Sequence, residues 1–161
     1  MIVLLDSGPL GTLTNPKGSD VTVEGRMWVR SLLLKGYRVI LPEIADYEVR
    51  RELLRANKLE GVRRLDDWKE RLEYLPITTP VILKGAELWA TSRQAGMPTA
   101  DPKELDGDLI LAAQALLVSE SGEGVVIATT NVGHLWMLVT GEILTERTEK
   151  IKSHKLNYIL C

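Results

Sequence analysis

The segment Ile2-Val3-Leu4-Leu5-Asp6-Ser7-Gly8-Pro9 begins with four apolar residues and then changes abruptly to polar and turn-forming ones. A short, continuous apolar run is typical of a strand in a parallel sheet, because helices cover such a strand on both faces. The segment therefore predicts a buried strand at residues 2–5. It also places Asp6 at the carboxyl end of that strand.

Three further apolar segments predict strands, at residues 37–41, 74–77 and 125–129. Between them, apolar residues recur at helical spacing or follow helix-start signals. These signals predict helices at residues 23–33, after Pro42 as far as a break near 57–61, at 62–71, from Thr79-Pro80 towards Gly96, and at 106–118, with loops at 15–20 and 97–103. Strands that alternate with helices predict an α/β fold with a parallel sheet and helices on both faces.

The chain has 161 residues, of which 45% are hydrophobic and 26% are charged, and its formal net charge is -2. This size and composition predict one globular domain over residues 1–161. The charge gives no overall attraction to nucleic acid, so RNA binding would require a local basic patch. The one cysteine, Cys161, excludes an intramolecular disulfide. No apolar run has the length of a signal-peptide core or a membrane helix, so we expect a cytoplasmic protein with no membrane contact.

Acidic residues that follow the strands are the candidates for function, because ligands bind outside the carboxyl ends of the strands in open α/β sheets. Asp6 follows the first strand, and Glu48 lies one to two turns into the helix after the second. Asp106 and Asp108 stand at the start of the helix predicted at 106–118, and Asn131 follows the last strand. We expect these residues to meet at one edge of the sheet.

Oxygen donors from separate segments suit Mg²⁺ or Mn²⁺. Zinc is disfavoured, because the only imidazole and thiol groups in the chain are His134, His154 and Cys161. Carboxylates that are brought together repel one another, and a bound cation makes their proximity tolerable. Such a cation activates water and neutralises charge on a phosphoryl group. The predicted reaction is therefore hydrolysis of a phosphodiester.

Four segments resemble, in order, the sequence blocks of the PIN-domain family. They are residues 3–10 (VLLDSGPL), 42–49 (PEIADYEV), 108–115 (DLILAAQA) and 127–135 (IATTNVGHL). Each block alone is weakly specific, but together they cover most of the chain. The resemblance assigns metal-binding and catalytic roles to the acids of the first three blocks, which are Asp6, Glu48 and Asp108 in this sequence.

The resemblance implies a PIN-like three-layer fold, with a central parallel sheet of about five strands flanked by helices. It implies Mg²⁺- or Mn²⁺-dependent cleavage of single-stranded RNA, and the toxin half of a VapBC-type toxin–antitoxin pair with an antitoxin protein as partner. It also suggests a homodimer. The chain departs from the family at Asn131, where many members have Asp. Asp106 is the candidate that supplies the missing charge.

Several of these residues also have an ordinary structural explanation. Asp106 is a candidate N-cap of its helix. Arg50, Arg51 and Arg55 are candidates for binding RNA phosphates, and the alternative is that they form ion pairs on a solvated helical face.

Ser7 and Thr130 adjoin the candidate ligands in sequence, and we expect them to orient water from behind those ligands. The competing hypothesis is a catalytically weak or inactive PIN-like module that binds RNA or a protein. It is motivated by the neutral side chain of Asn131 and by the weak overall charge.

Overall fold

The computed structural model describes residues 1–96 and 106–130, together with the backbone of two short strands beyond them. The elements in chain order are β1 (Ile2–Leu5), α1 (Ser7–Thr14), α2 (Asp20–Leu34), β2 (Arg38–Pro42), α3 (Glu43–Arg55), α4 (Leu59–Arg71), β3 (Glu73–Leu75), α5 (Thr79–Gln94), α6 (Gly107–Ser119), β4 (Val125–Thr129), β5 (Lys150–Lys152) and β6 (Asn157–Leu160). The strands predicted at 2–5 and 125–129 have the predicted bounds. Those predicted at 37–41 and 74–77 overlap β2 and β3.

The described strands form one sheet in the order β3-β2-β1-β4-β6-β5. β1 pairs in parallel with β2 and β4, and β2 pairs in parallel with β3. β6 runs antiparallel to β4, and β5 antiparallel to β6. The parallel part therefore has four described strands, not about five as predicted. Only residues 153–156 separate β5 from β6, and a parallel crossover needs a dozen or more residues, so this pair extends the sheet as an antiparallel edge.

Alternate residues of β1 face two apolar cores, one on each side of the sheet. Val3 and Leu5 pack in a core that includes buried residues of α1, α2, α3 and α4. Ile2 and Leu4 pack in a second core, which includes buried residues of α5 and α6. Because side chains of a strand alternate between its two faces, this arrangement buries β1 completely between two helical layers. The predicted three-layer fold with helices on both sides of the sheet is confirmed.

α1 is the helix that sequence analysis missed, because the turn-forming residues after β1 predicted only the end of a strand. Pro9 lies in the first turn of α1, where proline is tolerated because the backbone N–H has no partner within the helix. Asp6 caps the helix by accepting a hydrogen bond from the backbone N–H of Ser7 at 2.6 Å. Leu10 and Leu13 anchor the helix in the apolar core.

The other helix bounds follow the sequence signals with small shifts. The predicted break lies between α3 and α4, where Asn57 has a φ of 52°. α4 begins at Leu59, earlier than predicted, and α5 begins at Thr79, with Thr78 in the N-cap position. The loop predicted at 97–103 lies outside the described residues. None of the helices in the described part of the chain is both long and apolar enough to span a bilayer.

Candidate active site

Three of the predicted acids lie near one another, on three different elements. Asp6 directly follows β1, Glu48 lies in the second turn of α3, and Asp108 lies in the first turn of α6. β1 and β2 are parallel neighbours, so the end of β1 and the start of α3 lie at the same edge of the sheet. The charges of Asp6 and Asp108 both act on the carboxyl group of Glu48. The three side chains are therefore neighbours in space.

The carboxylate of Asp6 is buried and held in place by hydrogen bonds. Asp6 is 6% exposed to solvent. Its Oδ2 accepts a hydrogen bond from the hydroxyl of Thr129, at the end of β4, at 2.6 Å. Its Oδ1 accepts from the backbone N–H of Ser7 at 2.6 Å and from the Ser7 hydroxyl at 3.3 Å. Contacts from two elements therefore fix the orientation of this carboxylate.

The pKa of the half-buried Glu48 carboxyl is raised above its ordinary value. Burial contributes most, because it penalises the ionised form, and the nearby charges of Asp6 and Asp108 add to it. A hydrogen bond from the Ser7 hydroxyl and the positive charge of Arg51 act in the opposite direction. Since Ser7 has only one hydroxyl proton, it cannot satisfy both Asp6 and Glu48 at once. Only one of the two carboxylates can therefore hold the Ser7 proton at a time.

Two glycines allow side chains of the site to approach the backbone closely. A Cβ atom on Gly107 would overlap Oε1 of Glu48 and lie 2.9 Å from its Cδ. A Cβ atom on Gly8 would overlap the hydroxyl of Thr130, which follows β4. The carboxyl of Glu48 thus packs against the start of α6, and Thr130 packs against α1. Neither glycine was predicted to belong to the site, although Gly107 directly precedes Asp108 in the sequence.

Asp106 occupies the N-cap position that was its alternative explanation. It is 9% exposed, and its Oδ1 accepts a hydrogen bond from the backbone N–H of Leu109 at 3.2 Å. Its role as a metal ligand stays a prediction. Asn131 lies outside the described residues, and so do His134, His154 and Cys161.

In the described part of the chain, no three His, Cys, Asp or Glu side chains have the arrangement of a formed metal site. The ligand roles of Asp6, Glu48 and Asp108 therefore stay predictions. Their chemistry fits Mg²⁺ or Mn²⁺, because these cations prefer carboxylate oxygens. The raised pKa of Glu48 also fits, since a cation beside it would remove the cost of its ionised form.

A groove of about 450 Å³ runs from Glu48 between α1 and the later part of α3. Arg51, Arg55 and Lys58 line it, so positive charge lies along the path that leads to the candidate acids. Arg55 is also bonded to Glu52, with Nη2 2.6 Å from the carboxylate oxygen. Two of the three arginines predicted to bind RNA therefore lie in a groove next to the acids.

Arg50 belongs to a different cluster, at the place where α3 packs against α4 and β3. Its Nε donates to Asp46 at 2.8 Å and its Nη2 donates to Asp66 at 2.7 Å, as expected for the solvated-face alternative. Asp46 is 4% exposed, and it also lies 3.7 Å from Nζ of Lys69 and accepts a hydrogen bond from Tyr74 at 3.4 Å. This cluster ties α3 to α4 and β3. Sequence analysis missed Asp46, although its position one helical turn before Arg50 is typical of a helical ion pair.

The fold of this chain is similar to that of solved structures. No protein-family model matches the chain, and no curated protein does. A structure of VapBC2 from Rickettsia felis bound to a DNA fragment from their promoter shares the fold, at 20% identity and a TM-score of 0.63, over 85% of this chain and 92% of that one. A structure of VapBC-1 from nontypeable Haemophilus influenzae shares it at 22% identity and a TM-score of 0.62, over 88% of this chain and 94% of that one. The chain thus has the PIN-like, VapC-like fold that the sequence blocks predicted.

Proposed function

We propose that this chain is a ribonuclease that uses Mg²⁺ or Mn²⁺ to hydrolyse single-stranded RNA. One observation carries the proposal: the Glu48 carboxyl packs against Gly107, directly before Asp108, and shares the Ser7 hydroxyl with Asp6, so acids from three segments of a PIN-like fold are neighbours. Groups of carboxylates beside a basic groove suit a reaction in which a cation and a phosphate must meet. The fold alone supports a nuclease only by analogy, and the residues of the site are what distinguish a nuclease from another protein of this fold.

Asp6, Glu48 and Asp108 would hold the cation, with Asp106 or Asn131 as a further oxygen donor. When bound there, Mg²⁺ or Mn²⁺ would supply an activated water and neutralise the charge that builds on the phosphoryl group. Glu48 has the raised pKa expected of a half-buried acid among like charges, and nearby positive charge would lower the cost of its ionised form.

The remaining residues of the site would orient the reacting groups. Thr129 and the backbone of Ser7 hold the Asp6 carboxylate in one orientation. The hydroxyls of Ser7 and Thr130 would orient water beside the acids. Arg51 and Arg55, which line the groove, would attract RNA phosphates.

The test is cleavage of labelled single-stranded RNA by the purified chain in millimolar Mg²⁺ or Mn²⁺. Asp6→Ala and Asp108→Ala should each reduce the rate by more than the roughly 10- to 100-fold that is typical for loss of a residue behind a metal ligand. Glu87→Gln, at an exposed acid of α5, serves as the matched control and should keep the wild-type rate. Cleavage that survives Asp6→Ala or Asp108→Ala would exclude the proposed site.

We also propose that the chain is the toxin of a VapBC-type pair, acting in the cytoplasm with a cognate antitoxin protein and as a homodimer. The toxin role and the antitoxin partner are supported by the match to two VapBC structures, and the location and the homodimer follow only from the sequence and its family resemblance. Expression of the chain alone in a bacterial host should stop growth, and Asp108→Ala should not. The control is to purify the chain from these cells and to show that it cleaves RNA. If the purified chain is active and the cells still grow at the normal rate, the toxin proposal is excluded.

A catalytically weak or inactive PIN-like module that binds RNA or a protein is the second candidate. One observation favours it: the described residues contain no formed group of three metal-binding side chains. RNA binding without cleavage in either Mg²⁺ or Mn²⁺ would support this candidate. Cleavage that depends on Asp6 and Asp108 would exclude it.

A further inference from the structure

An exposed aromatic ring lies on α3, next in sequence to one of the candidate acids. Tyr47 directly precedes Glu48 on α3 and is 48% exposed. Arg51, one helical turn later, lies over its ring, with the guanidinium carbon 5.4 Å from the ring centroid. Arg51 also lines the groove and acts on the carboxyl of Glu48. One side chain thus connects the exposed ring to both the groove and the candidate acids.

Arg51 differs from its neighbours in what it binds. Arg50 donates to two carboxylates, and Arg55 is bonded to Glu52. Arg51 lowers the pKa of Glu48 and of Glu52, but within the described part of the chain it forms no ion pair with a carboxylate at bonding distance, and its direct contact is the ring of Tyr47. Its guanidinium donors therefore remain available to a ligand in the groove.

On the basis of the proposed ribonuclease function, we propose that Tyr47 and Arg51 form a stacking platform for an unpaired RNA base next to the phosphate that is cleaved. The exposed face of the Tyr47 ring takes the base. Arg51 covers the other side of the ring and donates to the adjoining phosphate. Since Arg51 contacts the ring and also lines the groove together with Glu48, a base stacked on Tyr47 would have its own phosphate directed to that groove.

The platform selects RNA by its strandedness. A base in an A-form duplex is paired and stacked between its neighbours, so its faces are not free for a side chain, whereas bases of single strands can be splayed out and stacked on aromatic rings. Stacking on an aromatic ring tolerates every base, because each has a π-face. Arginine adds attraction to the ring and to the phosphate. The chemistry thus favours unpaired RNA with weak sequence preference.

Fluorescence anisotropy tests the platform with a short labelled single-stranded RNA and a duplex of equal length, in EDTA and at low salt, so that no cleavage takes place. Tyr47→Ala should raise the Kd for the single strand by about fivefold or more, as stacking on one aromatic side chain predicts. Tyr47→Phe keeps the ring and should leave the Kd within about twofold of wild type. Arg63→Ala, at an exposed arginine of α4, is the control for loss of a surface charge.

The salt dependence separates the two roles. Arg51→Ala should raise the Kd and lower the slope of log K against log salt by about 1, because one phosphate contact is lost. Tyr47→Ala should raise the Kd and leave that slope unchanged. A purely structural effect of either variant would not produce this difference.

An unchanged Kd in Tyr47→Ala, an equal loss in Tyr47→Phe, or the same Tyr47 dependence with the duplex would overturn the platform. Single-stranded RNA that fails to bind wild type would overturn it as well. Two results separate failure of the platform from failure of the ribonuclease proposal. If the chain cleaves RNA in Mn²⁺ and Tyr47→Ala has no effect, only the platform proposal is excluded. If RNA binding depends on Tyr47 but no metal supports cleavage, only the ribonuclease proposal is excluded.

Discussion

Replacement of Glu48 by glutamine should stabilise the protein in the absence of metal and remove its stabilisation by Mn²⁺. Glutamine keeps the shape of the side chain and an oxygen that can accept a hydrogen bond from Ser7, but it has no charge. In wild type, burial and the charges of Asp6 and Asp108 raise the free energy of the ionised carboxylate. The substitution removes that cost and also removes one of the proposed ligands.

The size of the effect follows from the neighbours of Glu48. Each like charge at a partly exposed position costs about 0.2 to 1 kcal/mol, and two such charges act here, partly offset by Arg51. The expected gain is about 1 kcal/mol at neutral pH. In a chain of 161 residues, this corresponds to a rise in Tm of roughly 2 to 4 °C.

The dependence on pH has a definite sign. The pKa of Glu48 in the folded protein lies above its ordinary value of 4.5, so the native state holds more protons than the unfolded state between these two values. The contribution of Glu48 to stability is therefore fully present below about pH 4.5 and is lost as the pH rises through the folded value. The advantage of Glu48→Gln over wild type should accordingly be seen at neutral pH and disappear below pH 4.5.

Mn²⁺ should reverse the order of the two proteins in the same melting experiment. A cation that binds only the folded state, at ten times its Kd, stabilises wild type by about 1.4 kcal/mol, or roughly 3 to 6 °C. Glu48→Gln should respond weakly. Glu52→Gln, one turn later on α3, is the matched control, because Arg55 lowers the pKa of Glu52 and its neutralisation should give no gain. A Glu48→Gln protein that is no more stable than wild type in EDTA, or that gains equally from Mn²⁺, would refute the reasoning.

Three further variants test how the site is held. Gly107→Ala should keep the circular dichroism spectrum but reduce RNA cleavage by roughly 10- to 100-fold, because its Cβ would displace the Glu48 carboxyl, and an unchanged rate would contradict this. Thr129→Val should lower the free energy of unfolding, measured in urea, by about 1.5 to 3 kcal/mol through loss of its bond to Asp6, and no loss would contradict it. Asp46→Ala should lower it by about 1 to 3 kcal/mol by leaving its cationic partners without a carboxylate, and an unaffected midpoint would contradict that.

The sequence was informative where a single local pattern decides the structure. The apolar runs at 2–5 and 125–129 predicted β1 and β4 at their observed bounds, since buried parallel strands have no polar face to interrupt them. α1 was missed because Pro9 and the glycines beside it are as typical of a turn as of a first helical turn. The antiparallel edge was missed because strands as short as β5 and β6 have little pattern of their own.

In the candidate site, too, some features could be predicted from the sequence and others depend on tertiary packing. The proximity of Asp6 and Glu48 was predictable, because parallel neighbours bring their carboxyl ends to one edge. The sequence left open whether Arg50 binds RNA or carboxylates, since Asp46 lies one turn earlier on α3 but Asp66 comes to Arg50 only through the packing of α3 against α4. The packing of Glu48 against Gly107 was not predictable either, because it depends on the tertiary distance between α3 and α6.

Calorimetric titration of the metal-free protein with Mn²⁺ tests most directly whether the three acids share one site. Wild type should show saturable binding at up to millimolar Mn²⁺, and Glu48→Gln and Asp108→Asn should each lose it, while Glu52→Gln keeps it. Absence of binding to wild type, or equal binding to Asp108→Asn, would contradict the account.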